Sequence, residues 1–502
     1  MPKSVRGAQY ILALDQGTTS SRAILYTLEG QAVASAQVPL SVAFPEDGWV
    51  EQQPTDIFDT QLEAMRQATR NIAPGDIRAI GITNQRETVV AWDRTTGKPL
   101  GPAIVWQCRR SAAGCEELKQ RGLAEEISRR TGLVIDAYFS ATKIAWLRDQ
   151  LSAVADRVQD GSAVFGTVDS WLLYCLTKSG GVPKLATEPS NACRTMLYNI
   201  DTNDWDPFLL SLFSLPREAL APVQPSAGFF GSTSILGAPI PITGMLGDQQ
   251  ASLLGHGNVE SGEVKCTFGT GAFLLLNTGS NRVDSSTGLL SSVAWQFAGK
   301  CSYALEGSIF IAGALIQWLR DKLGIIASAE ESEIRASRVA TAGGAVLVPA
   351  FVGLGAPYWN PQARGVIAGL SRDVGADHLA RAALEAVAHQ TADLLDAEEF
   401  RSITSLSIDG GMAANRLFCR ILADLTGRTV VVPSSTELTA LGAARAAAVG
   451  LGLFPNAAAV VEGFGGQARE NETPYQPMMT PEIRREARDR WRRAVGQALA
   501  GC

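Results

Sequence analysis

Three short turns are placed and composed to hold an anion: Asp15-Gln16-Gly17-Thr18-Thr19-Ser20, Phe268-Gly269-Thr270-Gly271 and Asp409-Gly410-Gly411. Glycine lets backbone N–H groups approach a phosphate, and Thr or Ser hydroxyls add donors that carry no charge. An acid beside such a turn can hold Mg2+ through water, because magnesium prefers oxygen ligands and keeps much of its hydration. Any one of the three could be an ordinary hairpin or βα turn. Three in this order point to phosphate binding. No GxxxxGK[ST] motif and no strand-GxGxxG-helix unit occurs, which disfavours the P-loop and Rossmann routes to a nucleotide.

Other chemistries lack their parts. The histidines are His256, His378 and His389 alone, with no HExxH and no Cys/His metal spacing, which argues against a zinc hydrolase. The GxSxG elbow of a serine hydrolase is missing too. Cysteines at 108, 115, 175, 193, 266, 301, 419 and 502 make no CxxC, and a chain of this size needs no staples, so they read as scattered reduced thiols. Carboxylates, amides, hydroxyls and backbone are left to do the work.

The elements that must position these turns alternate between strand and helix. Tyr10–Leu14, Arg22–Tyr26 and Val33–Val42 read as strands, and a helix after Pro54 has Phe58, Leu62, Met65 and Ile72 on one face. Ala79–Thr83 is another strand, ending in the polar run Asn84–Thr88. The second half starts over: Glu263–Phe268 and Ala272–Asn277 are strands around the second turn. Ile309, Ala312, Ile316, Leu319 and Leu323 make a helical stripe. Ser405–Ile408 is a strand, and Phe418, Ile421, Leu422 and Leu425 form a helical face closed by Gly427. Gly313 and Gln317, and likewise Gly411 and Asn415, stand one helical turn apart and should face one side. The class is α/β. The boundary is placed near Gly255–Val259, giving units 1–255 and 256–502.

The 502 residues, 46% hydrophobic and 19% charged, can build cores and are not disordered. A net charge of −6 lacks the basic footprint of a nucleic-acid binder. Met1–Ala8 is polar with no apolar core behind it, so no signal peptide is expected. An uncharged stretch, Ala342–Trp359, holds four Gly and two Pro and would make a poor membrane helix. A soluble, cytoplasmic protein is expected.

Taken together, the DQGTTSSR start, the TFGTGAF turn and the DGG turn resemble the two phosphate segments and the adenosine segment of the actin- and hexokinase-type ATPase fold. Within that fold the chain resembles the FGGY carbohydrate kinases, and among them the branch that phosphorylates glycerol. The most specific pieces are Asn84–Thr88, Val105–Arg110, Tyr138-Phe139-Ser140, Gly247–Gln250, Gly353–Trp359 and Thr439–Ala444. The resemblance implies two actin-like (ribonuclease H-like) domains with an active-site cleft between them, ATP and Mg2+ as cofactors, and glycerol as phosphoryl acceptor. A kinase for a neighbouring polyol such as erythritol, or a non-kinase actin-like ATPase, is the alternative.

Residue by residue, it implies Asp248 as the proton acceptor, a role an alcohol attacking a phosphoryl group requires; on its own Asp248 could equally cap the following helix. Arg86 and Glu87 would bind substrate hydroxyls. Alone they read as a weak surface ion pair, yet a polyol site must offer donors and acceptors together. Trp106 and Phe273 would flank the substrate carbons, whose C–H edge flat rings can cover, although core packing is the usual fate of such rings. Tyr138 and Gln249 complete that set. Asp15 would be the magnesium-associated acid. Thr18, Thr19, Ser20, Arg22 and Thr270 would contact phosphate, and Gly313, Gln317, Gly411 and Asn415 the nucleotide. A homo-oligomer, dimer or tetramer, is expected.

Departures from the family pattern are Ala137, Ala141, Phe268 and the run Glu188-Pro189-Ser190-Asn191-Ala192-Cys193-Arg194-Thr195, where Asp-Tyr-Thr-Asn-Ala-Ser-Arg-Thr is usual. Some bacterial relatives carry a Gly-Gly-Lys loop and a nearby Arg that bind fructose 1,6-bisphosphate as an inhibitor. From Glu218 through Val264 this chain has no Lys or Arg, so that inhibition is expected to be absent.

Overall fold

The computed structural model describes residues 9–466 and 472–500; the Met1–Ala8 reading and Cys502 fall outside them. Two sheets share one strand plan. In the first, the order is Ala227–Thr233, Ile240–Gly247, Ile77–Asn84, Tyr10–Gln16, Ser20–Thr27, Ala32–Pro39. The three earliest strands run antiparallel as a meander, and Ile77–Asn84 and Ile240–Gly247 add in parallel. In the second, Val264–Phe268, Ala272–Gly279 and Lys300–Ile309 form the meander while Ser405–Asp409 and Thr429–Val432 add in parallel. Leu290–Phe297 and Thr473–Tyr475 flank them as edge strands.

Parallel strands covered on both faces must be apolar along their length rather than alternating. Tyr10–Leu14 is buried at every position, and so is Ile80–Asn84. One face of the first sheet is covered by the helices Pro54–Thr69 and Val168–Lys178. The expected stripe on the former is rotated. Pro54, Ile57, Gln61, Ala64, Met65, Ala68 and Thr69 are the buried positions, Phe58 is only partly covered, and Ile72, also partly covered, lies beyond the helix end. The outer face of the second sheet carries Gly313–Asp321, Ala376–Leu395 and Arg416–Thr426. Here too the sequence reading needs correcting: Ile309 ends a strand paired with Ala272, the helix starts only at Gly313, and Leu323 is exposed. The stripe matched a helical period because a buried strand end was followed directly by a buried helix face.

Between the two sheets lies a shared core. The helix Leu438–Gly450 belongs to the second half by sequence, yet it packs on Ile11, Ala13, Ala79 and Leu246 of the first sheet. Leu275, Ala294 and Trp295 of the second sheet join the same cluster. The approach is close enough to exclude side chains. A Cβ at Gly442 would sit 1.8 Å from the carbonyl oxygen of Ala251, one at Gly255 1.9 Å from that of Leu438, and one at Gly81 2.1 Å from that of Ala443.

A smaller sheet of Glu51–Gln52, Ala103–Ile104, Val89–Asp93 and Ala163–Thr167, with the helix Ser140–Gln150 beside it, completes the first half. It supports the loops that carry Trp106 and Tyr138.

Candidate functional site

The strand ends converge on a cleft. Ile77–Asn84 delivers Gln85, Arg86 and Glu87, and Ile240–Gly247 delivers Asp248, the first residue of the helix Asp248–Gly255. Adjacent parallel strands in register place Gly247 opposite Asn84. Gly247 is needed there, since a Cβ would sit 2.7 Å from the Arg86 side chain. Arg86, Glu87, Trp106, Tyr138, Asp248, Gln249 and Phe273 all line one cavity of about 1170 Å3, together with Thr18, Thr19 and Thr270. Trp106 stands edge-on to Tyr138 at 5.7 Å and to Phe273 at 5.8 Å between centroids. Its indole N–H donates to the Thr18 hydroxyl at 2.9 Å, tying a ring of the cleft to the first turn.

A second cavity, about 390 Å3, adjoins the first through Gly269, Thr270 and Gln317, and Gly313, Gly411 and Asn415 line it. Glycines build its floor. A Cβ at Gly313 would lie 2.6 Å from the Gly269 carbonyl oxygen, and one at Gly410, whose φ is +87°, 2.4 Å from that of Phe268. The second turn, the third turn and the helix start can therefore stack backbone to backbone. Gly411 and Asn415 reach the cavity by another route than a helical face. Gly411–Ala414 is a single 3-10 turn, and Asn415 caps the helix Arg416–Thr426 by accepting from the Phe418 amide. Asn and Gly at that spacing favour a cap and a turn over a helix interior.

Ser20 and Arg22 are turned elsewhere. The Ser20 hydroxyl accepts from Gln37, Arg22 pairs with Glu437, and neither lines the two cavities. Asp15, in the strand Tyr10–Gln16, likewise lines neither cavity. Burial, aided by Asp248 and Glu437 and opposed by Arg22, pushes its carboxyl up to about 7. Asp248 keeps 30% of its side chain exposed to the cleft, yet burial of its surroundings and the nearby Glu87 raise it to about 6 against the pull of Arg86 and Lys265. Among the described residues no group of three or more His, Cys, Asp or Glu could cage a metal.

Sequence reasoning missed the charges behind the cleft. Glu306 and Arg194 are fully buried and meet Arg86 and Glu87 there. Lys265, also fully buried, donates to Gln249 Oε1 at 2.6 Å and to the Thr267 hydroxyl at 2.9 Å. Lys143 donates to the backbone carbonyls of Glu87 and Tyr138, stitching two walls of the cleft together. The available signal was a lone charge inside an apolar strand, in Tyr303-Ala304-Leu305-Glu306-Gly307 and in Val264-Lys265-Cys266. The departure at Glu188 proves self-consistent: its carboxylate accepts from the Ser190 and Asn191 amides and from the Ser190 and Ser226 hydroxyls. Ser190 Oγ in turn accepts from the Gly247 amide at 2.8 Å, so the run anchors the turn that presents Asp248.

Residues 10–255 match the N-terminal domain of the FGGY family of carbohydrate kinases, and residues 264–451 match its C-terminal domain. A glycerol kinase of Thermus brockianus is 50% identical over 498 residues, covering 98% of each chain. One from Alkaliphilus oremlandii is 47% identical with 98% and 97% covered. A crystal structure of Plasmodium falciparum glycerol kinase with ADP superposes with a TM-score of 0.88 at 32% identity, covering 98% of each chain. A gluconate kinase of Lactobacillus acidophilus, 21% identical, shares the fold with a TM-score of 0.86 and 98% coverage of each. A two-domain cleft with these residues on its walls, matched along nearly the whole length, makes this chain a member of the FGGY family of carbohydrate kinases.

Proposed function

We propose that the protein phosphorylates glycerol at the expense of ATP, giving sn-glycerol 3-phosphate and ADP. The observation that carries this reading is one cavity that gathers an acid, a guanidinium–carboxylate pair and three aromatic rings, and opens at Thr270 into a second cavity walled by glycine. Arg86, Glu87 and Gln249 would meet the hydroxyls, while Trp106, Tyr138 and Phe273 cover the C–H edge of a three-carbon chain. Asp248 would accept the proton of the attacking hydroxyl; its carboxyl, raised to about 6, is ionised at neutral pH yet basic enough to take a proton. The rest of catalysis is positioning and charge stabilisation. Thr18, Thr19 and Thr270 offer hydroxyls to the phosphates, and Gly313, Gln317, Gly411 and Asn415 wall the nucleotide cavity. Ser20 and Arg22 could join the phosphate set only by leaving Gln37 and Glu437.

Asp15 fits a magnesium ion held through water. Its carboxyl is raised to about 7 by burial, and among the described residues no hydrogen bond or ion pair to it is present. A bound Mg2+ would neutralise charge on the phosphate oxygens. With no protein cage available, phosphates and water must supply most of its ligands.

The domains are assigned to residues 1–255 and 256–502, and we infer a cytoplasmic homo-oligomer. Among the described residues no helix is long and apolar enough to cross a membrane. ADP release against a panel of polyols and sugars tests the function. Glycerol-dependent turnover should far exceed that with erythritol or glucose, and equal rates with glucose would overturn the three-carbon pocket.

A further inference from the structure

Glu306 lies on the second sheet, in the strand Lys300–Ile309; Oε1 accepts from the Ser308 hydroxyl of its own strand at 3.1 Å, and both oxygens meet arginines of the first half. Arg86 grips it with two nitrogens, Nη1 at 2.5 Å and Nη2 at 3.0 Å. Arg194 reaches Oε1 at 3.0 Å with Nη2, donates to Glu87 Oε1 at 2.7 Å with Nε, and to the Ser292 hydroxyl with Nη1. All four charged residues are at most 2% exposed. The other contacts of Arg86 are longer: 3.3 Å to Gln250, 3.3 Å to the Tyr138 hydroxyl, 3.2 Å to Asp248 and 3.7 Å to Glu87. A ligand hydroxyl can displace those without breaking the short pair. On Glu87, Arg194 occupies Oε1, and no described hydrogen bond reaches Oε2, so that oxygen is left for the cleft.

We propose that Glu306 and Arg194 are positioning residues for the substrate site, a buried relay through which the second domain sets the orientation of Arg86 and Glu87. The proposal rests on the glycerol reading of the cleft. Neither residue lines the cavity, so each acts through another side chain. Bidentate carboxylate–guanidinium geometry is directional, which suits it to fixing a fork rather than merely balancing charge. In Glu306→Gln an amide NH2 would replace one acceptor and face an arginine N–H; because Arg86 uses both oxygens, it loses one arm of its fork whichever oxygen is replaced.

The test is glycerol affinity, read both by calorimetry and as KM, in the full-length protein. Glu306→Gln should raise the glycerol Kd and KM by ten-fold or more while the KM for Mg·ATP moves less than three-fold. Glu306→Asp should recover part of the loss, and Arg194→Lys should resemble Glu306→Gln. Thermal unfolding checks that each variant is folded, and Glu306→Asp keeps the test open if Glu306→Gln does not fold. A folded Glu306→Gln with unchanged glycerol affinity would overturn the relay, as would equal losses for glycerol and Mg·ATP. If the parent protein itself neither binds nor turns over glycerol, the functional reading fails instead, and the two failures are told apart by the parent alone.

Discussion

In the role proposed for Asp248 two requirements conflict: a proton acceptor must be ionised before the reaction, yet it must bind a proton during it. The fold answers with position. The side chain starts a helix, accepts from the Gln249 amide at 2.7 Å, and touches Arg86 at 3.2 Å, while burial and Glu87 push the other way. Activity should therefore fall as pH drops through about 6, where Asp248 becomes protonated, and level off above it. Stability of the unliganded protein has the opposite sign. Asp15 and Asp248 both titrate above their ordinary 3.8, so their contribution is complete below that value and is lost as pH rises through about 6 to 7. Asp248→Asn should fold and bind Mg·ATP, with kcat reduced ~10²–10⁴-fold. Near-normal kcat in that variant would remove Asp248 from the role. The place of Asp248 in the cleft was legible through the resemblance carried by Gly247–Gln250; by itself it reads equally well as the cap of the following helix. Glu306 was not legible, because its partner Arg86 lies 220 positions away in the chain, and a lone charge in an apolar strand does not say what it pairs with.

At the level of elements, the run Thr439-Ala440-Leu441-Gly442-Ala443-Ala444 is a packing device. Small residues let the helix Leu438–Gly450 lie against the helix Asp248–Gly255 and the strand Ile77–Asn84 with backbone touching backbone. Gly442→Ala puts a methyl 1.8 Å from the Ala251 carbonyl oxygen, which only a shift of one helix can relieve. Overpacking of this kind costs ~1–3 kcal/mol or more, and the shift moves the helix that carries Asp248. We expect a lowered urea midpoint together with a lowered kcat; parental values for both would show that the contact is softer than the geometry implies. The strands and the turns between them could be read from the sequence, since apolar runs broken by Gly and Thr are local signals. The face of the helix Arg416–Thr426 could be read too, since Phe418, Ile421, Leu422 and Leu425 are buried and Gly427 closes it; that of the helix after Pro54 could not. The helix Pro54–Thr69 buries Gln61, whose amide donates to the Arg22 carbonyl, and a polar residue on the inner face rotates the apparent stripe by one position.

Over the whole molecule, the surface around Gly231–Pro239 bears on regulation. That turn is held by Ser179, whose hydroxyl accepts from the Ser234 amide, and the stem of Lys184 lies over Gly231. A sugar bisphosphate brings about four negative charges, which charge-assisted bonds from several cations would have to meet. A single ammonium falls short, so turnover should be indifferent to millimolar fructose 1,6-bisphosphate; cooperative inhibition abolished by Lys184→Ala would contradict this. The helix Leu438–Gly450 also imposes an order on synthesis. The first sheet is complete once Gly247 has left the ribosome, but the helix that covers Ile11, Ala13, Ala79 and Leu246 is encoded roughly two hundred residues later. At ~5–20 residues per second, that apolar face waits about 10–40 s for its cover. Residues 1–260 made alone should bind hydrophobic dyes and lack a cooperative melting transition, whereas a sharp melt would mean that the half folds unaided. Nascent chains of this protein are thus expected to depend on a chaperone until the last sixth of the message has been read.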